Sequence, residues 1–458
     1  MSKTTDLTQG KVTPLVLGFF FPMLVTNMLQ QFYNVADTAI VGKGLGDDAL
    51  AAVGNMGSLS FLIVGFSLGL SNGFSVLTAQ CFGAKDYEKM RRTTAASINL
   101  AAVITIVLTA VSVIFMSPVL ILLQTDESIM KDSLLYGYIV FGGLFSAIAY
   151  NMCSGILRAL GDSKTPLIAI VISAAVNIVL NCVSIFVLGM GVEGPAIATV
   201  LSQLISAAVC YGKLRKIEEL RLSRSDFAFD GSMIISLLKN GIPMALMNSI
   251  TAIGCMVIQY FVNGLGVAYT SAYSTYSKLI NIFMQPACTA GFAMSSFASQ
   301  NYGAGKFSRI KEGLKVCLAI ALVSYLILGT IMILFPAQLA GLMLNGEEQI
   351  SLCAKFMPIT GAMLFAVDLL FVFRSGVQGM GYPFIPMCSG VLEMALRASI
   401  VALFISKVGF NAAAYADTMA WLGAFLMNST AFVVILRGKL GEAAAVKKVE
   451  KKARAAVR

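Results

Sequence analysis

The chain contains no histidine and a single tryptophan in 458 residues. Without histidine it lacks the usual proton shuttle and the commonest metal ligand, so proton chemistry falls to carboxylates. Charge is also scarce: 12% of residues are charged, against about 25% in an ordinary soluble domain. The nine cysteines are scattered, mostly in apolar runs, with no CxxC pair. That pattern gives neither a disulfide framework nor a metal site. No GxxxxGK[ST] loop, HExxH helix or nucleophile–base set occurs, so nothing points to ATP use or to an enzyme, and no cofactor is expected.

What is abundant is apolar sequence, 57% of the chain. It falls into twelve spans, at roughly 14–41, 53–79, 94–117, 133–153, 165–188, 194–212, 234–262, 268–298, 313–335, 352–373, 385–406 and 412–436. Each can cross a bilayer, which needs about 20 apolar residues in a helix. The runs are continuous rather than alternating, which excludes a β-barrel. The expected class is an all-α polytopic membrane protein. Residues 1–13 are polar and the first run is too long for a signal-peptide core, so no cleavable leader is expected.

Twenty-seven of the 33 Lys and Arg residues lie in loops on the side of the termini, and Lys43, Lys131, Lys355 and Lys407 lie on the other. The bias predicts that both termini are cytoplasmic. The net charge of +10 does not indicate nucleic acid, because the basic residues sit in loops and in the tail. Lys447, Lys448, Lys451, Lys452, Arg454 and Arg458 form a basic tail suited to anionic cytoplasmic lipid. The charged stretch 213–233 divides the chain midway, giving expected domains of 1–212, 213–233 (linker), 234–437 and 438–458 (tail).

The two halves repeat. Gln80-Cys81-Phe82-Gly83-Ala84 matches Gln300-Asn301-Tyr302-Gly303-Ala304 at an offset of 220, and Gly161 and Pro166 meet Gly381 and Pro386 at the same offset. Pro22 meets Pro243 at 221. With six spans per half the repeats are parallel. Transporters built this way bind substrate near mid-membrane and rock one half against the other.

The first span carries a polar line of Asn27, Gln30, Gln31, Asn34, Asp37 and Thr38, within an arc of roughly 120° at about 100° per residue. A carboxylate at membrane depth marks a functional site by default. The seventh span repeats the line with Asn248, Thr251, Gln259 and Asn263. These amides are the expected substrate-contacting residues. In the fifth span Asn177 and Asn181, four apart, share a face and are read as joining Asp37. The second half holds Lys278, Asp368, Glu393 and Arg397 within its spans. Glu393 and Arg397, four apart, are expected to clasp each other, and Lys278 is expected to pair with Asp368, which is also a candidate for ion coupling.

These motifs in this order resemble the MATE (multidrug and toxic compound extrusion) family, of the DinF-like bacterial kind. The residues that carry the likeness are Pro22 with Asn34-Val35-Ala36-Asp37, the two Gln-x-x-Gly-Ala motifs, Gly155 to Asp162, and Arg374 to Gly381. The resemblance implies two six-helix lobes around a V-shaped cleft and a cation-coupled exporter of organic cations in a bacterial inner membrane, expected to be a monomer. It implies coupling at Asp37, with Asn177 and Asn181 as the helix-5 polar pair, and Asp368 resembles the helix-10 acid of some relatives. Some members carry Asp where this chain has Asn181. Sodium can be held by Asp37, Asn177 and Asn181, but loses a ligand charge through that difference, whereas a proton keeps its acceptor. Proton coupling is therefore the expectation. The rival reading is a lipid-linked oligosaccharide flippase of the related superfamily, which handles an anionic pyrophosphate lipid.

Overall fold

A computed structural model describes residues 5–122 and 125–456, without the side chains of 47, 58 and 446–456. The basic side chains of the tail therefore lie outside the described residues. The helices are α1 (Val12–Leu45), α2 (Asp47–Gly83), α3 (Tyr87–Leu122), α4 (Glu127–Gly142), α5 (Leu144–Ala159), α6 (Lys164–Cys182), α7 (Glu193–Leu214), α8 (Gly231–Asn263), α9 (Val267–Phe283), α10 (Gln285–Gly303), α11 (Phe307–Leu334), α12 (Pro336–Gly341), α13 (Glu347–Ala362), α14 (Leu364–Gly379), α15 (Phe384–Val408) and α16 (Asn411–Ala456).

All twelve apolar spans become helix, but not all as single rods. The stretches expected as continuous at 133–153, 268–298 and 352–373 break at Gly143, Met284 and Met363. Two of these pairs bend by 42° and 49°. At Gly143 the cause is contact: a Cβ there would lie 2.4 Å from Val200 of α7, so only glycine lets the backbone come this close. The outer surface is apolar, as lipid demands. On α3, Ile106 and Ile114 stand about two-thirds exposed, a placement that water would penalise and acyl chains do not.

The repeat governs the backbone. Helices start or end at 47 and 267, 83 and 303, 87 and 307, 127 and 347, 144 and 364, 159 and 379, and 164 and 384, all at an offset of 220. Apart from Gly10, the positive-φ residues among those described pair in the same way: Gly46 with Gly266, Lys85 with Gly305, Gly161 with Gly381, and Gly189 with Gly409.

By contacts the described chain forms two compact units. The first holds Thr5, 21–79 and 86–248; the second holds 6–20, 80–85 and 249 onward. By contacts the division falls inside α8 and beside Pro22 of α1, and 213–233 lies within the first unit. That segment packs on the first unit. Its short 3-10 turns Glu218–Leu220 and Arg224–Phe227 lie on α3, where Asp226 meets Arg91 at 3.9 Å. In the second unit the two Gln-x-x-Gly motifs meet reciprocally. A Cβ on Gly83 would lie 1.9 Å from the Gln300 carbonyl oxygen, and a Cβ on Gly303 would lie 1.9 Å from that of Gln80. The N-terminal segment is strapped beside them. Leu7 is buried, its N–H donates to Gln300 Oε1 at 2.8 Å, and its carbonyl accepts from Asn301 Nδ2 at 3.2 Å.

Candidate functional site

In the first unit α1, α4, α6 and α7 bring one polar cluster together. Asn177 and Asn181 are fully buried and project from one face of α6, as their spacing requires. Asn181 Nδ2 donates to Asp37 Oδ1 at 2.5 Å and to Asn177 Oδ1 at 2.9 Å. Asn177 Nδ2 in turn donates to Ser202 Oγ of α7 at 3.4 Å. Asp37 and the two asparagines, read as one polar site in the sequence, are thus joined in a continuous hydrogen-bonded relay. Asp37 is half-buried, and among the described residues no Lys or Arg forms an ion pair with it.

Four members of this cluster escaped the sequence reading. Tyr33 lies one turn before Asp37 on α1, and Tyr136 comes from α4; both lie within electrostatic range of Asp37 and near Thr199 of α7. Ser202 ends the relay. A tyrosine four residues before the acid on the same helix was the available signal; Thr199 and Ser202 had none. Two buried oxygens of the cluster, Asn181 Oδ1 and Thr199 Oγ1, accept no hydrogen bond.

The remaining polar-line residues are spread more widely. Asn27 and Gln31 are half-buried, while Gln30 and Asn34 are exposed. Asn248 belongs to the first unit and donates to the Gly65 carbonyl at 3.1 Å. In the second unit Gln259 Nε2 donates to Asn263 Oδ1 at 2.6 Å, so these two engage each other.

The second unit corrects one expectation and extends another. Lys278 is exposed on α9, whereas Asp368 of α14 is fully buried and, among the described residues, neither of its carboxylate oxygens has a hydrogen-bond partner. The two do not pair. α9 is only seventeen residues long, and Lys278 lies on the side of it that stays open, away from its buried neighbours Tyr276, Leu279 and Ile280. Glu393 and Arg397 do meet, Arg397 Nη1 standing 3.5 Å from Glu393 Oε2. They belong to a larger network, because Glu393 Oε1 also pairs with Arg374 of α14 and Arg397 Nε donates to Asp417 Oδ1 of α16 at 2.9 Å. All four side chains are buried, so two cations and two anions neutralise each other across three helices.

The sequence profile described as MatE matches residues 22–183 and again 243–403. The chain belongs to the MATE family. The double match covers both repeat copies and places Asp37, Asn177 and Asn181 in the first and the charged network as far as Arg397 in the second. The chain is 30% identical over 371 residues to the probable multidrug resistance protein YoeA of Bacillus subtilis, covering 77% of this chain and 79% of that protein. It is 34% identical over 319 residues to the probable multidrug resistance protein YpnP of the same organism, covering 67% and 69%. Its fold matches a crystal structure of MATE in the bent conformation with a TM-score of 0.90 at 20% identity, over 96% of this chain and 100% of that one. This MATE chain is therefore an all-helical, multi-pass membrane protein of a multidrug-efflux transporter family.

Proposed function

We propose that this MATE protein exports organic cations by alternating access, driven by protons that load and leave Asp37. The observation that carries the reading is the relay Ser202–Asn177–Asn181–Asp37: a carboxylate that pairs with no Lys or Arg among the described residues and is held by an uncharged amide. A carboxylate in that position exchanges a cation without breaking an ion pair. Asn181 turns its NH2 group, not its carbonyl, toward Asp37. That orientation keeps the Asn181 carbonyl from joining Asp37 as one of the several oxygen ligands that sodium seeks, and this supports a proton as the exchanged ion. The two six-helix repeats, joined through 213–233, are read as the moving lobes, and Asp368 as a second exchangeable acid. The excess of Lys and Arg on one side supports cytoplasmic termini in a bacterial inner membrane. Substrate contact by Asn27, Gln30, Gln31, Asn34, Asn248, Gln259 and Asn263, a monomeric state, and lipid contact by the basic tail belong to the same reading. Nothing favours the flippase alternative, since the buried Arg374 and Arg397 are already neutralised by Glu393 and Asp417.

The test is efflux of a fluorescent lipophilic cation from proteoliposomes with independently imposed proton and sodium gradients. A proton gradient in sodium-free buffer should drive export by the parent protein and not by Asp37→Asn. Export only after sodium is added would reverse the choice of ion, and unimpaired export by Asp37→Asn would remove Asp37 from the mechanism.

A further inference from the structure

The internal repeat allows the first unit's relay to be compared, position by position, with its counterpart in the second. At the offset of 220 that aligns α6 with α15, Asn177 corresponds to Arg397 and Asn181 to Val401. Tyr136 of α4 corresponds to Phe356 of α13. On α8 the residues equivalent to Asp37, at offsets of 220 and 221, are the apolar Val257 and Ile258. At 221, Tyr33 corresponds to Gly254. The second unit has thus lost the acid and the tyrosine on one helix and gained a guanidinium on the facing one.

The geometry fits the exchange. Gly254 has no side chain, and a Cβ built on it would lie 3.4 Å from both Cδ and Nη1 of Arg397. The Gly254 backbone thus packs against α15 at Arg397 and Met394, the latter's Cα lying 3.3 Å from the same Cβ. Arg397 Nε donates to Asp417, and Nη1 faces Glu393 at 3.5 Å without a hydrogen-bond partner of its own. Both acids are foreign to the first unit, where the equivalent residues are Ser173 and Ile197. A cation, together with the carboxylates that balance it, has been installed where the first unit has a cation-receptive acid and amides.

We propose that Arg397 is a tethered stand-in for the coupling cation, filling permanently in the second repeat the place that the first repeat keeps for an exchangeable one. The inference rests on the reading of Asp37 as the coupling residue. It assigns the exchangeable ion to the first lobe at this pair of positions. It also assigns a specific consequence to Arg397: removing its side chain converts the second-lobe pocket into a site for a small monovalent cation, with Asp417 and Glu393 as its anionic ligands.

The experiment uses the full chain purified in detergent, with thermal unfolding as the readout and choline chloride as the control salt. Arg397→Ala should unfold at a lower temperature than the parent. Methylguanidinium chloride, and sodium chloride more weakly, should raise its midpoint by several degrees with saturation in the millimolar range, because a ligand bound only to the native state stabilises by mass action. The parent should show neither response. Arg397→Ala with Asp417→Asn should lose most of the recovery. The inference is overturned if neither cation gives a saturable shift beyond choline, or if the shift survives Asp417→Asn. If Arg397→Ala does not fold, the charge-balanced Arg397→Met with Asp417→Leu decides. It should export with the parent's ion-to-drug ratio, and a changed ratio in folded protein overturns the inference. The unfolding measurements need no transport, so they stand apart from the Asp37 reading, which fails by itself if Asp37→Asn exports normally.

Discussion

Asn181 uses both hydrogens of one amide, donating to Asp37 Oδ1 at 2.5 Å and to Asn177 Oδ1 at 2.9 Å. The orientation of that amide is therefore fixed by two acceptors. Asn181→Ala leaves the carboxylate without its donor. A hydrogen bond to a charged group is worth about 1.5–3 kcal/mol, so proton-driven efflux should fall by roughly tenfold or more. Asn181→Asp acts in the other direction, placing a second carboxylate against Asp37. Two adjacent acids attract a bare cation, so this variant should gain sodium-stimulated efflux in proteoliposomes. If its sodium response matches the parent's, the missing charge is not what disfavours sodium.

Gly83 and Gly303 press on the backbones of Gln300 and Gln80 at the same 1.9 Å from a built Cβ. Because the obstacle is a carbonyl rather than a flexible side chain, an added methyl must push helix ends apart. Gly83→Ala and Gly303→Ala should each cost about 1–3 kcal/mol or more, as overpacking does elsewhere. The near-identity of the two contacts predicts similar losses, measurable as matched drops in unfolding midpoint. A large loss in one and none in the other would show that the contact is not reciprocal in energy.

Much of this architecture could be read from residue order. Twelve apolar runs and an offset of 220 define the spans and the repeat, because lipid forces continuous helices and parallel duplication preserves motif spacing. The shared face of Asn177 and Asn181 follows from helical periodicity, whereas their approach to Asp37 on another helix rests on a functional reading and the family resemblance, not on spacing. The breaks at Gly143, Met284 and Met363 are less legible, since Gly143 yields to Val200, a residue of another helix. Arg374 and Asp417 were missed as members of the charged network for a similar reason. Their partners come from α15, and no spacing along one helix reveals a contact between helices. The same blindness suggested Lys278 for Asp368: an economical pairing by charge, with no means of knowing which face of α9 the lysine occupies.

The separation of that pair makes its own prediction. Lys278 is exposed, so Lys278→Met should change stability by no more than about 0.5 kcal/mol, as surface substitutions do. Asp368 is buried with both oxygens unpartnered. Asp368→Leu should therefore raise the unfolding temperature, because an unpartnered polar group costs about 1–3 kcal/mol when buried. Efflux by the same variant then reports on coupling: loss of driven transport in a more stable protein identifies Asp368 as a second exchangeable acid. Destabilisation by Lys278→Met that Asp368→Leu relieves would restore the pairing.

Lys85 adopts φ 60°, the left-handed region, at the position where the second repeat has Gly305 with φ 67°. A side chain in that conformation costs roughly 1–2 kcal/mol, of which glycine's greater chain entropy when unfolded returns about half. Lys85→Gly should stabilise the protein by about 0.5–1 kcal/mol. Gly305→Ala should destabilise it by a comparable amount. Both variants should transport normally, and chemical or thermal unfolding separates them. A loss of stability in Lys85→Gly would mean that the lysine side chain makes a contact worth more than the strain.

Asp226 gives a pH dependence outside the membrane. Its Oδ2 accepts from the Ser223 backbone N–H and from the Ser223 hydroxyl, each at 2.7 Å, with Arg91 Nε at 3.9 Å. The backbone hydrogen bond from Ser223 is the largest influence holding its carboxyl below the ordinary value, with the Ser223 hydroxyl, Arg91 and Arg92 acting in the same direction. A carboxyl depressed in the folded state stabilises that state above the unfolded pKa, about 3.9. The contribution is present in full at neutral pH and is lost as pH falls from there through the lower folded-state value. Asp226→Asn removes the charge at every pH. The stability difference between parent and variant should be constant from pH 7 to about 5, then shrink as pH drops below about 4. Unfolding measured in detergent across that range checks the sign directly. A difference that widens on acidification would show that the folded state holds the Asp226 proton more tightly, the reverse of what its hydrogen bonds dictate.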